Sequence, residues 1–144
     1  MYKRQGWALY VKDGVPAYDY NFLGLERTTI ASSRALAPGK ATLKFDFAYD
    51  GGGLGKGGTG TLYVNGEQVA QGRIERTQPM IFSADETADV GIDLATPVVE
   101  TIGSEARSRF TGQIPKVTVQ VRDTNAAADT SVRKGMVEVA RRTQ

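Results

Sequence analysis

The chain has 144 residues, 40% of them hydrophobic, with 18 basic and 16 acidic side chains and a net charge of +2. That length fits one domain with a single core, and charge so balanced and dispersed excludes an extended basic face for nucleic acid. Cysteine and histidine are both absent, which removes Ser-His-Asp and Cys-His catalysis, histidine general bases and Cys/His zinc sites, and no apolar run approaches the roughly 18–20 residues of a membrane-spanning helix.

The opening Met1-Tyr-Lys-Arg-Gln5 reads as a translated sequencing adapter and is set aside from fold reasoning. The alternative is a natural basic start. On the adapter reading the chain is a fragment of a longer gene. Trp7, Leu9 and Val11 then alternate with Ala8, Tyr10 and Lys12, the period of a half-buried strand. Asp13-Gly14 is a hairpin turn. Tyr18, Tyr20 and Phe22 alternate with Asp19 and Asn21 in a second strand, with Pro16 near its start, where proline is tolerated. Gly24 and Leu25 connect to a short strand over Thr28–Ser32. After Pro38-Gly39 comes the clearest strand, residues 40–49, with Ala41, Leu43, Phe45, Phe47 and Tyr49 on one face.

A glycine-rich connection, Asp50 to Gly58, follows. Strands are expected at Thr59–Val64 and Gln68–Ile74, joined through Asn65-Gly66, which supplies the two φ > 0 residues of a type I′ turn. The stretch 75–109 reads as mostly loop, with short strand candidates at Met80–Phe82 and Val90–Ile92. Thr111–Val121 reads as a final strand, broken or bulged near Pro115. Residues 123–144 read as a flexible tail, with a weak helix over Val132–Ala140 as the alternative, since Gly135 interrupts it. Short strands at this spacing, with turn chemistry between them, predict an all-β antiparallel sandwich over residues 6–122.

The joined pattern YDGGGLGKGGT (Tyr49–Thr59), SADE (Ser83–Glu86) and DVG-x-D (Asp89–Asp93), with GWALYVKDG upstream and FTGQIPKVTVQV downstream, resembles the C-terminal region of long bacterial arylsulfatases. The resemblance covers most of the chain and is specific as a set. It implies a jelly-roll sandwich of the laminin-G or concanavalin kind, lacking its first strand or two. It also implies a parent that hydrolyses sulfate esters with a divalent metal and formylglycine, periplasmic or secreted. The nucleophile motif of that family, C/S-x-P-x-R, has no counterpart here. Its Asp-Asp-Asn-Asp set and histidines have none either. The resemblance therefore implies a non-catalytic accessory domain packed on an upstream sulfatase domain in cis.

Each group of polar or aromatic residues admits two readings. The glycine run is no phosphate loop, because Lys56 is followed by Gly57 and a strand comes next instead of a helix. Gly51, Gly52, Gly53, Gly57 and Gly58 either shape a sharp inter-strand connection or, with Lys56, face the catalytic domain. Arg73 and Arg76 form surface ion pairs or sit at a domain interface. Asp85, Glu86, Asp89 and Asp93 either line a solvated loop in which Asp89 and Asp93 bond turn amides or hold a hard cation such as Ca²⁺, with Asp85, Asp89 and Asp93 as ligands. Trp7, Tyr18, Tyr20 and Phe22 are read as core. Tyr10, opposite Trp7 and Leu9, is the aromatic expected to be exposed and able to stack on a sugar. A glycan-binding sandwich is thus the competing function, and a free-standing enzyme ranks last.

Overall fold

The computed structural model describes residues 6–79, 88–94, 98–103 and 105–122. Expectations placed on residues 1–5, 80–82, Asp85, Glu86 and 123–144 lie outside them. The chain is all-β, with two three-stranded antiparallel sheets. The first holds β1 (Gly6–Lys12), β2 (Val15–Phe22) and β3 (Glu26–Ala31). The second holds β4 (Leu43–Tyr49), β5 (Gly58–Val64) and β6 (Glu67–Ile74). A four-residue helical turn, α1 (Glu105–Ser108), is the helix among the described residues.

The turns obey local chemistry. Asp13 and Gly14, at φ 51° and 78°, and Asn65 and Gly66, at 50° and 84°, are both type I′ pairs, whose twist matches the flanking strands. The β2–β3 turn is less obvious. It uses Leu23 at φ 55° with Gly24 at 73°, and a leucine resists that region. The Asn21 Oδ1 accepts the Gly24 N–H at 2.9 Å and Leu25 N–H reaches Phe22 O at 2.9 Å, so two hydrogen bonds hold the turn. The third strand therefore begins at Glu26, two residues before the sequence pattern suggested.

The sheets pack face to face through aromatic and β-branched side chains. Tyr18 on β2 lies flat on Phe45 on β4, with centroids 3.5 Å apart and planes 6° from parallel. Ile30 on β3 drops between β5 and β6 onto Gly60 and Gly72, which face each other in register. A Cβ on Gly72 would meet Ile30 Cγ1 at 2.8 Å. The glycines of the second sheet thus let the first approach, a use of glycine in a strand interior that outweighs its weak strand preference. Leu62 (0% exposed), Ile74 and Ile30 complete the core, each worth about 1.5–3 kcal/mol of burial.

Each sheet is a simple meander, so the crossovers of a jelly roll are not formed among the described strands. The expected strand over Val90–Ile92 is a bend, and Thr111–Val121 begins in a bend and joins no ladder. Both stretches had apolar alternation but form no ladder with the described strands, and pairing decides a strand where pattern alone does not. Residues 98–103 instead cover the outer face of the first sheet. Arg27 donates to Val98 O at 3.0 Å, Lys12 donates to Thr101 O at 3.1 Å, and Val99 between them is 2% exposed.

Candidate functional site

Two surfaces stand out, and the glycine connection between β4 and β5 is the first. Gly51, Gly52, Gly53 and Gly55 have φ of 75°, 77°, 128° and 71°, conformations closed to most side chains. The loop is nevertheless tied down. The Tyr49 hydroxyl donates to Gly53 O and accepts from Lys56 N–H, the latter at 3.0 Å. Asp50 N–H donates to Gly57 O at 3.0 Å, and Thr77 Oγ1 donates to Lys56 O at 2.7 Å. Gly57 packs against the carbonyls of Ile74 and Glu75, where no Cβ fits. Gly58 sits under the Phe47 ring, and a Cβ there would come within 2.5 Å of it.

The loop's electrostatics come from Asp50 and Arg73. The guanidinium grips both carboxylate oxygens, one at 2.8 Å, the bidentate geometry that makes such pairs directional. The hydrogen bonds from Arg73 hold the Asp50 carboxyl below the usual carboxylate range, and Asp50 in turn raises Arg73. Glu75 lies 3.7 Å from the same guanidinium. Arg76 pairs with Glu26 at 2.8 Å and lies over the Phe22 ring, 5.2 Å from its centroid. Both arginines are therefore engaged within the chain. Lys56 is exposed beside the closing Asp50–Gly57 pair of the tethered loop, a cation carried on a fixed backbone.

The second surface is the inner side of β1. Because Tyr18 of β2 covers Phe45 of β4, and β3 covers β5 and β6, the first sheet overhangs the second by one strand. Among the described strands, β1 packs on β2 and no strand of the second sheet lies squarely opposite it. Trp7, stacked on Tyr18 at 6.0 Å, is 48% exposed, and Leu9 is 37% exposed. This reverses the expectation for the aromatics. Tyr10 is half-buried on the outer face beside Asp19, and burial with the Asp19 charge pushes its phenol up to about 12. The exposed ring is Trp7. Tyr18, Tyr20 and Ile74 form the core cluster with Phe22 and Phe45 against it, as their shared face predicted.

Comparison with known proteins adds nothing to this geometry. No protein-family model, curated protein or solved structure matches the chain. The sulfatase likeness thus rests on the motifs alone.

The acidic set is only partly described. Asp89 Oδ2 accepts Leu94 N–H at 3.0 Å, and Asp93 Oδ2 accepts Val98 N–H at 3.0 Å. Both carboxylates thus shape turns, the local role that short acidic side chains commonly take. Among the described residues no three acidic side chains converge as a metal would require. Glu100, further along, pairs with Arg27 at 3.2 Å.

Sequence reasoning missed Asp50 and the exposure of Trp7. Asp50 was legible only with the register in hand: Ala48 pairs Thr59, and Thr59 pairs Arg73, so the residue two beyond Ala48 falls beside that arginine. Trp7 shares the alternation of a core strand, and nothing in that alternation tells an overhanging edge from a covered one.

Proposed function

We propose that the chain is a non-catalytic accessory module of an arylsulfatase, packed in cis against the catalytic domain through the inner side of β1. The observation that carries this reading is the uncovered Trp7–Leu9 face of β1, where the first sheet extends past the second. An apolar strip of this kind marks an interaction surface, and tryptophan at its centre suits an anchor. The motif set from Tyr49 to Asp93 supplies the identity of the neighbour. The tethered glycine loop would present Lys56 beside the same domain, where a point-like cation attracts anions.

Trp7 is the one tryptophan of the sequence, which makes it a clean reporter. In the chain labelled with 5-fluorotryptophan, titration with the catalytic domain encoded upstream should shift the single ¹⁹F resonance. Trp7→Ser with Leu9→Ser should abolish association and leave the fold intact. A resonance that stays put at saturating catalytic domain contradicts the docking.

A second reading is a glycan-binding sandwich. What favours it is the same outward-facing indole, so the stacking ring becomes Trp7 and the earlier candidate Tyr10 is set aside. Calcium, on this reading, would use the acidic stretch that includes Asp89 and Asp93. A sugar panel that shifts the ¹⁹F resonance, with and without Ca²⁺, separates the two readings.

A further inference from the structure

The last described segment has the sequence of a strand and the surroundings of none. Val117, Val119 and Val121 alternate with Lys116, Thr118, Gln120 and Arg122, the pattern of a half-buried strand. Yet residues 111–122 join no ladder, and the three valines are 57%, 71% and 92% exposed. One contact locates the segment: Arg122 Nη2 lies 3.5 Å from Asp46 Oδ1.

Asp46 is in the middle of β4, and β4 pairs with β5 on one side only. Among the described residues no strand pairs with its other side, which leaves a row of backbone donors and acceptors as a template for one more strand. Side-chain parity agrees with that use. Asp46 shares the outer face of β4 with Lys44 and Ala48, while Phe45, Phe47 and Tyr49 face inward. With Arg122 on the outer face diagonal to Asp46, opposite Lys44 in an antiparallel register or Ala48 in a parallel one, the odd-numbered valines fall inward along β4 beside its inward side chains. Phe47 is itself 36% exposed and gains a neighbour. Pro115, which has no N–H for a ladder, falls just outside the paired stretch.

We propose that Lys116–Arg122 is a strap that closes onto the open edge of β4 in its own chain, as the fourth strand of the second sheet. Its own chain is the partner because the ion pair is already intramolecular and the tether is long enough. Phe110 N–H is anchored to Gly91 O at 2.7 Å. Of the ~40 Å that the dozen residues beyond it can span, a strap as long as β4 takes ~23 Å, which leaves residues 111–115 as the connection. Closure hides three valines and removes an edge that would otherwise recruit other chains. The added strand lies opposite β1 and turns its valines toward Trp7 and Leu9, so the closed strap and a domain docked on that face exclude each other.

Hydrogen exchange on the full chain at high dilution tests it. The amides of Val117–Val121 should be protected together with those of β4. Val119→Asp should strip protection from 117–121 while β2 stays protected, which shows that the variant still folds. The natural sequence has no cysteine, so one of two double variants, Arg122→Cys with Lys44→Cys or with Ala48→Cys, should oxidise to a cross-linked monomer. Exchange of residues 117–121 at the rate of an unfolded chain overturns the strap. A disulfide that forms only between copies, in a mixture of the corresponding single variants, overturns its intramolecular form.

Discussion

Replacing Gly60 by valine would place two methyl groups where the Phe45 ring and Ile30 Cδ1 already sit, the latter 2.8 Å from the new Cβ. Valine gains up to ~1 kcal/mol of strand preference, but overpacking a filled core costs about 1–3 kcal/mol. The clash wins, and the urea midpoint should fall by the difference; an unchanged midpoint would show that the sheets are less closely packed than described. Charges give two further expectations. The Asp50 carboxyl is held low by Arg73, so its contribution is complete above the unfolded value of about 4 and is lost as pH falls through the lower folded value. Asp50→Asn should remove that part of the acid limb in a pH series of melting temperatures. Tyr10 titrates in the opposite sense. Its phenol is pushed to about 12 by burial and Asp19, so the folded state favours the neutral ring. That contribution is complete below about pH 10 and is lost as pH rises toward 12. Absorbance titration of tyrosinate should lose one late-ionising ring in Tyr10→Phe.

At the scale of elements, the glycine loop behaves as a tethered connection. Its two ends are joined by Asp50 N–H to Gly57 O, and the Tyr49 hydroxyl spans its interior. Tyr49→Phe removes both phenol hydrogen bonds and keeps the ring. A loss of about 1 kcal/mol is expected, together with faster amide exchange at residues 51–56; unchanged exchange there would mean that the loop is held elsewhere. The six strands were legible because each carries its own evidence: two-residue alternation, bounded by Asp13-Gly14, Pro38-Gly39 or Asn65-Gly66. Boundaries slipped where the turn used an unexpected residue, as with Leu23 at positive φ. Val90–Ile92 and Thr111–Val121 had the alternation but no ladder, because strand pairing depends on a neighbour that the local sequence does not encode.

For the whole molecule, the offset between the sheets decides what is exposed. It leaves Trp7 exposed although its alternation is that of a core residue, and it leaves Tyr10 half-buried beside Asp19 on a covered face. Offset is a property of packing between distant strands, so the aromatic expected to be exposed was the wrong one. The docking account assigns chemistry to the neighbour and none to these residues. The purified chain should not hydrolyse an aryl sulfate ester, and turnover that persists through repurification would contradict that. The central claim is that this sandwich serves an upstream sulfatase domain, and the genomic DNA preceding the codon for Gly6 tests it most directly. The account predicts an open frame that carries C/S-x-P-x-R several hundred residues earlier. A native start close to Gly6, with no such frame upstream, would contradict it and favour the glycan-binding sandwich.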